Sequence, residues 1–394
     1  MHIRKISMIL AFSFILSAAS VAFAQETKTT GENVSGLSVK AKSAVLMEPS
    51  TGKIVYEFNP DEKLPPASVT KVMTLLLVYE ALEQGKIGLD EIVTISEYAA
   101  GMGGSQVYLE PGEQQTVRDL IKCIAIPSAN DAAVAMAEYV AGSEEAFVMS
   151  MNKRAEELGM QSTHFVNACG LDAEGHLTSA KDIAIMSKEL INKYPEVLEL
   201  TSIWMDSIVH KTARGESEFG LTNTNKLLKA YSGANGLKTG STGKAGYCVS
   251  ATAKRDDMML IAVIMGSDSG PIRFNEARKL LDYGFANYTL SVGDPAGTDK
   301  GQIKVNKGEL DSVKIVVKDQ VNVLMDKGNH IELESQIDVL DSINAPVTAG
   351  TKVGEIIYLS DGKEAGRSDL VCADDVHKAN IGHMVKKLSK RWFE

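Results

Sequence analysis

The feature that most constrains the fold is an apolar run that begins directly after two adjacent prolines, within residues 65–85. Proline has a fixed φ and no N–H, so helix cannot extend back through Pro65 and Pro66. Beyond them, apolar residues recur at the three- and four-residue spacing of a single helix until Gly85 ends the pattern. The spacing predicts a strongly apolar, buried helix whose inward positions are Val72, Leu75, Leu76, Tyr79 and Leu82.

Ser68 and Lys71 lie where this helix is predicted to begin, one helical turn apart and therefore on one face. Burial of a lysine disfavours its charged form and lowers its pKa from about 10.4. Holding the amine neutral near pH 7 costs about 1.36 kcal/mol per pKa unit, or roughly 4–5 kcal/mol in all. Such an amine can take the proton of the Ser68 hydroxyl. The alternative is a helix-capping serine beside a lysine that reaches solvent, and the pair alone favours that alternative.

A second polar pair lies in the segment IPSANDAAVAM. Pro127 favours an extended approach, and the following helix is predicted to start at about Asn130. Ser128 and Asn130 then lie on a loop tip, where both can face one cleft. The hydroxyl can pass a proton to a leaving amine, and the amide can hold a substrate peptide bond. The alternative is helix capping by Ser128 or by Asn130 itself.

The only Lys-Thr-Gly of the chain, at residues 238–240, stands at the start of a predicted strand. Gly240 allows another backbone to approach closely, and N–H groups beyond it can polarise a substrate carbonyl. Lys238 and Thr239 can hold a carboxylate, one by charge and the other by its hydroxyl. The alternative is an ordinary edge strand.

No single one of these patterns is specific. Ser-x-x-Lys and Ser-x-Asn recur at Ser50–Lys53, Ser150–Lys153, Ser241–Lys244, Ser360–Lys363, Ser150–Asn152 and Ser342–Asn344. In combination and in this order, however, the three are the set found in penicillin-binding proteins and class A β-lactamases. The chain closely resembles the low-molecular-mass penicillin-binding proteins that act as serine D-alanyl-D-alanine carboxypeptidases. The likeness is strong over roughly residues 40–290, and it extends to GSQVYLEPGE, SANDAAVAMAEYVAGS, THFVNACGLD, TSAKDIA and GLKTGSTGKAGYC.

The resemblance implies acyl transfer on the D-Ala-D-Ala end of the peptidoglycan stem peptide, in cell-wall biosynthesis or remodelling. It implies that Ser68 is the nucleophile, that Lys71 is its base, and that Ser128 relays the proton to the departing D-alanine. It also implies covalent inhibition by β-lactam antibiotics. No metal or organic cofactor is needed for this chemistry.

The substrate-binding residues that the resemblance implies are Asn130, Lys238, Thr239, Gly240, Ser241 and Arg273. Asn130 would orient the stem peptide, and Lys238 and Thr239 would face its terminal carboxylate with the help of Arg273. The backbone N–H groups of Ser68 and Ser241 would form the oxyanion hole. Ser241 follows the Lys-Thr-Gly where some relatives carry histidine, so the pH behaviour of those relatives does not transfer.

The character of the sequence changes near residue 292, after which short β-rich pieces are punctuated by Gly, Asn and Asp. We therefore expect an α/β chain. The resemblance implies a β-lactamase/transpeptidase-like catalytic domain at residues 37–291, with an antiparallel sheet flanked by helices and a helical subdomain. A small all-β domain is expected at residues 292–374.

Both ends of the chain predict export and membrane association. Residues 1–24 combine a basic start, an apolar stretch and a small-residue cleavage site, which is typical of a signal peptide; the alternative is a retained anchor. Residues 25–36 are predicted to be a flexible terminus. Residues 377–394 carry five Lys or Arg against one Glu around an apolar helical face, which predicts an amphipathic helix lying on the membrane surface. The expected location is peripheral, on the extracytoplasmic face of the bacterial cytoplasmic membrane.

Charge argues against one class of partner, and the cysteine pattern argues against disulfides and metal sites. A net charge of −10 argues against nucleic acid. The four cysteines are widely spaced without Cys-x-x-Cys, which favours buried free thiols over a disulfide, and no zinc-type motif supports a metal site.

Two other functions remain open at this point. A β-lactamase shares the same core, but we find no Glu-x-x-x-Asn loop for deacylation, and a β-lactamase leaves the β-rich part and the tail unexplained. A non-catalytic wall-binding protein could retain the fold, although the intact serines and lysines argue against it.

Overall fold

A computed structural model describes residues 37–212, 214–328 and 333–383. The predicted signal peptide, the flexible N-terminal segment and most of the predicted C-terminal helix lie outside these residues. The helices are α1 Lys71–Glu83, α2 Glu97–Ala100, α3 Val117–Ala125, α4 Asn130–Ala141, α5 Glu144–Glu157, α6 Ala180–Lys193, α7 Val197–Thr201, α8 Leu227–Ala230 and α9 Gly270–Asn287. A 3₁₀ turn at Ala67–Thr70 leads into α1.

The strands follow one another in two groups along the chain. The first group is β1 Ser43–Glu48, β2 Lys53–Phe58, β3 Ile92–Thr94, β4 Gln114–Thr116, β5 Met205–Thr212, β6 Gly215–Thr222, β7 Ala234–Thr242, β8 Gly246–Arg255 and β9 Met258–Ser267. The second group is β10 Tyr288–Val292, β11 Asp299–Asn306, β12 Ser312–Val317, β13 Asn322–Asp326, β14 Glu334–Val339, β15 Ser342–Asn344, β16 Lys352–Ser360 and β17 Lys363–Cys372.

Five strands form an antiparallel sheet in the order β2-β1-β9-β8-β7. Strand β9 is apolar at nearly every position because both faces of the sheet are covered. Side chains of α6 pack with Val45 and Val263 on one face, whereas side chains of α9 pack with Leu46 and Ala262 on the other. The predicted antiparallel sheet between helices is confirmed. Strand β7, which carries the Lys-Thr-Gly, ends the order and is hydrogen-bonded only to β8 within this sheet.

Helices α1 to α5 form the helical part of the fold, with α1 buried among them. The predicted apolar helix is confirmed: it begins at Lys71 and is apolar around nearly its whole circumference, as expected of a helix enclosed by others. Helix α4 begins at Asn130, as predicted.

The second group of strands forms a six-stranded sheet, β14-β16-β17-β12-β11-β15, and a two-stranded ribbon of β10 with β13. The ribbon joins the two groups, because β10 directly follows α9 and pairs antiparallel with β13. The predicted β-rich C-terminal part is confirmed. None of the helices in the described residues is both long and apolar enough to cross a membrane.

Candidate active site

Ser68 lies in the 3₁₀ turn that precedes α1, and Lys71 is the first residue of that helix. The tight turn directs both side chains to the same side, so Lys71 Nζ lies 3.0 Å from Ser68 Oγ. Ala67, immediately before the serine, has a φ of 50°, in the left-handed region that alanine rarely adopts. Such a backbone persists only where its surroundings fix it, so Ser68 is held in one position.

The Lys71 side chain is fully buried, and its amine contacts three acceptors. Besides Ser68 Oγ, Nζ donates to Asn130 Oδ1 at 2.6 Å and to the Cys169 carbonyl at 2.7 Å. These contacts match the three N–H groups of an ammonium. Burial nevertheless lowers the pKa of Lys71 to about 8. The direction agrees with the sequence analysis, but the shift is smaller, so roughly a tenth of the amine is neutral at pH 7.

Asn130 connects Lys71 to the loop at residues 103–105. Its Nδ2 donates to the Gly103 carbonyl at 2.6 Å, and its backbone N–H donates to Ser105 at 2.7 Å. With its oxygen on Lys71, the Asn130 amide is fixed in one orientation.

Ser128 lies two residues before Asn130 and is 3% exposed. Its φ of 70° is again left-handed. Among the described residues, the Ser128 Oγ has no hydrogen-bond partner. A buried hydroxyl without a partner costs about 1–3 kcal/mol, so its retention at this place needs a reason beyond stability.

Strand β7 closes the site from the other side. Gly240 lies directly against the turn of Ser68: a Cβ on Gly240 would stand 2.7 Å from Ser68 N and 2.9 Å from Val69 N. Only glycine permits this approach. Ser241, the next residue, is exposed at the rim.

Lys238 and Thr239 precede this contact on β7 and are both buried. Lys238 Nζ donates to the Thr239 carbonyl at 3.2 Å. Burial, together with the positive charges of Lys71 and Arg273, lowers the pKa of Lys238 well below its ordinary value. Thr239 Oγ1 shares a 2.6 Å hydrogen bond with Thr224 Oγ1. No acidic partner of Lys238 occurs within the described residues, so an anionic ligand would relieve its electrostatic cost.

Arg273 lies on α9, with its guanidinium against the backbone of β7 and β8. Its Nη1 donates to the carbonyls of Gly240 and Cys248, both at 2.9 Å, and the cation lies 4.5 Å from the centre of the Phe274 ring. Its Nε has no partner among the described residues. Burial lowers the pKa of Arg273 to about 10.

Residues 167–172 also belong to the site, although no sequence pattern predicted their role. Asn167 Oδ1 accepts the N–H groups of Gly170 at 2.6 Å and of Leu171 at 3.2 Å, which fixes the loop that presents the Cys169 carbonyl to Lys71. An asparagine followed three residues later by glycine is typical of such a turn and could have indicated it. Asp172 then accepts a hydrogen bond from Thr242 at 2.7 Å, which ties this loop to the end of β7.

The four cysteines are buried and free, as expected. Within the described ranges, no group of three or more His, Cys, Asp or Glu side chains could hold a metal ion.

The residues around Ser68 provide a hydroxyl beside a partly neutral amine, a second buried hydroxyl on Ser128, and the buried amine of Lys238. This set suits acyl transfer from a substrate that ends in a carboxylate.

Comparisons with known proteins agree with this chemistry. A family model described as D-alanyl-D-alanine carboxypeptidase matches residues 27–269, and one described as penicillin-binding protein 5, C-terminal domain, matches residues 294–378. The chain is 41% identical to D-alanyl-D-alanine carboxypeptidase DacF of Bacillus subtilis, over 99% of this chain and 98% of that protein.

A solved structure of penicillin binding protein 5 from Haemophilus influenzae matches with a TM-score of 0.72 and 32% identity, over 88% of this chain and all of that one. A D-alanyl-D-alanine carboxypeptidase of Streptomyces is 32% identical over 287 residues, which are 70% of this chain and 98% of that protein.

Proposed function

This chain belongs to the D-alanyl-D-alanine carboxypeptidase family, and from that membership we propose that it acts through an acyl-enzyme on Ser68. It is a serine-type carboxypeptidase of the penicillin-binding class, which removes the terminal D-alanine of peptidoglycan stem peptides. The observation that most supports Ser68 is the fully buried Lys71 amine 3.0 Å from its hydroxyl.

Acylation begins when neutral Lys71 takes the proton of Ser68 as Oγ attacks the carbonyl of the D-Ala-D-Ala bond. The oxyanion that forms accepts hydrogen bonds from the N–H groups of Ser68 and Ser241, an interaction worth about 3–4 kcal/mol in serine enzymes. The contact of Gly240 with the Ser68 backbone supports this assignment, because Gly240 directly precedes Ser241 and lies against the Ser68 N–H.

The departing D-alanine then needs a proton on its nitrogen. We assign that transfer to Ser128, whose buried hydroxyl has no partner among the described residues. The proton reaches Ser128 from Lys71, and the C–N bond breaks as the ester to Ser68 forms. Water then attacks the ester, Lys71 takes its proton, and Ser68 is released with its own proton restored.

Asn130 orients the stem peptide, and Lys238 and Thr239 bind its terminal carboxylate. The depressed pKa of buried Lys238 supports this assignment, since a carboxylate would favour its charged form. Arg273 contributes from behind β7, where it holds the carbonyl of Gly240. β-Lactams bind the class as covalent inhibitors, by acylating the same serine.

Release of D-alanine from a diacetylated Lys-D-Ala-D-Ala peptide tests the proposal. Wild type and Ser150→Ala are expected to release D-alanine and to gain the mass of one penicillin, whereas Ser68→Ala does neither. Ser150 is a matched control because it begins another Ser-x-x-Lys and lies exposed on α5. A Ser68→Ala variant that is folded and still forms the adduct would refute the assignment. Rapid turnover of the penicillin would instead favour a β-lactamase.

Domain organisation and location complete the proposal. We place a catalytic domain at residues 37–291 and a β-rich domain at residues 292–374, supported by two family models that match separate parts of the chain. The class acts on the cell wall, outside the cytoplasm. The sequence of residues 1–24 supports export, and the basic, amphipathic residues 377–394 support a peripheral position on the membrane.

Sedimentation with anionic lipid vesicles tests the peripheral position. Each basic group near an anionic surface adds up to about 1 kcal/mol, so the full mature chain should sediment at low salt and be released at high salt. A chain ending at residue 376 should stay in the supernatant under both conditions. Equal sedimentation of the two chains would contradict a role for the tail.

A further inference from the structure

Tyr108 is displayed at the surface in an unfavourable backbone conformation. It is 68% exposed, and its φ of 61° lies in the left-handed region. For a bulky residue this conformation costs on the order of 1–3 kcal/mol and points to a functional constraint. A glycine would avoid the cost, so the ring itself is the feature to be explained.

A buried carboxylate holds Tyr108 in this conformation. Asp131, which is fully buried, accepts the backbone N–H of Val107 at 3.2 Å and that of Leu109 at 3.1 Å. These residues flank Tyr108, so their fixed positions push its side chain outward. Asp131 directly follows Asn130, the residue whose amide contacts Lys71.

The β5–β6 hairpin supports the ring from the side. The rings of Tyr108 and Phe219 meet edge to face, with centres 6.1 Å apart and planes at 71°. Phe219 in turn meets the His210 ring at 5.3 Å, and His210 Nδ1 lies 2.7 Å from Glu113 Oε1. The hairpin also contacts the Tyr108 loop through Arg214 and Glu110. Because Tyr108 is 68% exposed and Phe219 lies on one side of it, the ring keeps a face open to solvent.

Two other exposed tyrosines, Tyr98 on α2 and Tyr139 on α4, differ from Tyr108 because their hydroxyls make hydrogen bonds. Tyr98 donates its hydroxyl to Glu144, and Tyr139 donates to Glu91. By contrast, no hydrogen bond joins the Tyr108 hydroxyl to another of the described residues. Single exposed apolar residues are normal and need no explanation, but a strained and supported one does.

The position of Tyr108 relative to the cleft suggests its ligand. Bond lengths and the hydrogen bond from Leu109 N to Asp131 Oδ2 place the Tyr108 Cα no farther than roughly 13 Å from that of Asn130. Four residues of the stem peptide lie on the amino side of the scissile bond, and they reach at most about 14 Å. The glycan that carries the amino end of a stem bound at Ser68 therefore comes within reach of the ring.

We propose that the open face of Tyr108 stacks against a sugar ring of the glycan strand to which the stem peptide is attached. The C–H groups on one face of a sugar ring suit the negative face of an aromatic ring, and the substrate's sugar and peptide are covalently joined. This inference rests on the proposed function, since it extends the same binding site outward from Asn130. Tyr108 is a positioning residue, distant from the reacting atoms.

Two substrates separate this role from a structural one: a pentapeptide without sugar, and the same pentapeptide on its wall disaccharide. For Tyr108→Gly, KM for the disaccharide peptide should rise about 3- to 10-fold, because one aromatic contact with the sugar is lost. The kcat for the same substrate should not change. Both constants for the sugar-free peptide should match wild type. Tyr108→Phe, which keeps the ring, should behave as wild type, as should Tyr139→Ala on the far end of α4.

Glycine takes the left-handed conformation without strain, so Tyr108→Gly should also melt at or above the wild-type temperature. Equal effects on the two substrates, or none on either, would overturn the glycan contact while leaving the carboxypeptidase intact. A wild-type enzyme that releases D-alanine from neither substrate would overturn both proposals.

Discussion

At the scale of single residues, the site depends on one amine that is mostly charged at neutral pH. Burial lowers the pKa of Lys71 to about 8, and Coulombic interactions with Cys169 and Asp131 oppose that shift. Three oxygen atoms also surround its nitrogen and accept hydrogen bonds from it. If Lys71 is the base, as we propose, acylation at pH 7 uses its minor, neutral fraction.

This pKa gives the acylation rate a predictable pH dependence. Because only neutral Lys71 can take the proton of Ser68, the rate should rise about tenfold per pH unit below pH 8 and level off above it. Stopped-flow acylation by a chromogenic penicillin between pH 6 and pH 9.5 measures this. The acylation rate of Lys71→Arg, whose guanidinium stays charged, should fall at least about 10³-fold. The rate of Lys153→Arg, which changes the lysine of the exposed Ser150-x-x-Lys153 pattern, should equal that of wild type. A profile flat from pH 6 to pH 9 would contradict the role of Lys71 as base.

Ser128 should show opposite effects on activity and stability. Ser128→Ala removes a buried hydroxyl without a partner, so the melting temperature should stay the same or rise, while kcat falls about 10²-fold or more. Ser187→Ala is the matched control, because Ser187 is also buried but shares a 2.8 Å hydrogen bond with Ser250. That control should lose about 1 kcal/mol of stability and keep its activity. A Ser128→Ala enzyme with wild-type kcat would exclude the proton relay.

At the scale of elements, the site is assembled by the contact between strand β7 and the 3₁₀ turn before α1. Gly240→Ala would place a methyl group 2.7 Å from Ser68 N, where neither backbone can move without displacing the other. We expect kcat/KM to fall at least about 10²-fold through misplacement of the serine. Gly243→Ala, on the same hairpin with no atom within 4 Å of its added carbon, should keep full activity. Comparable losses in both variants would mean that the contact is unimportant.

Elements whose apolar residues recur at a regular spacing could be predicted from the sequence, whereas irregular loops could not. Helix α1 and the Ser68–Lys71 pair follow from apolar spacing, and the approach of a backbone to Gly240 follows from the small size of glycine. The loop at residues 167–172 has no periodic pattern; its sequence could indicate a turn, but not that the Cys169 carbonyl accepts a hydrogen bond from Lys71. The pairing of Ser43 with Met265 was also hidden, because local patterns do not specify partners distant in the chain.

At the scale of the whole molecule, the nine candidate catalytic and binding residues all precede the β10–β13 ribbon. A chain of residues 25–291 should therefore release D-alanine from a soluble peptide with kcat/KM within about threefold of the full enzyme. The Streptomyces relative supports this, since nearly all of its length aligns with 70% of this chain. The melting temperature of the 25–291 fragment should be lower than that of the full chain, because the fragment lacks Leu324 of β13, which belongs to the same hydrophobic cluster as Phe285. An inactive but folded fragment would show that the β-rich part helps to form the cleft.

The central sheet has a consequence for how the protein is made. Strand β1 lies between β2 and β9, so the first strand of the chain finds its second neighbour only when the last strand of the sheet exists. A chain that has folded only as far as Ser68 thus lacks both β9 beside β1 and the contact with Gly240. We therefore expect Ser68 to gain its surroundings only when the whole chain up to Ser267 folds together.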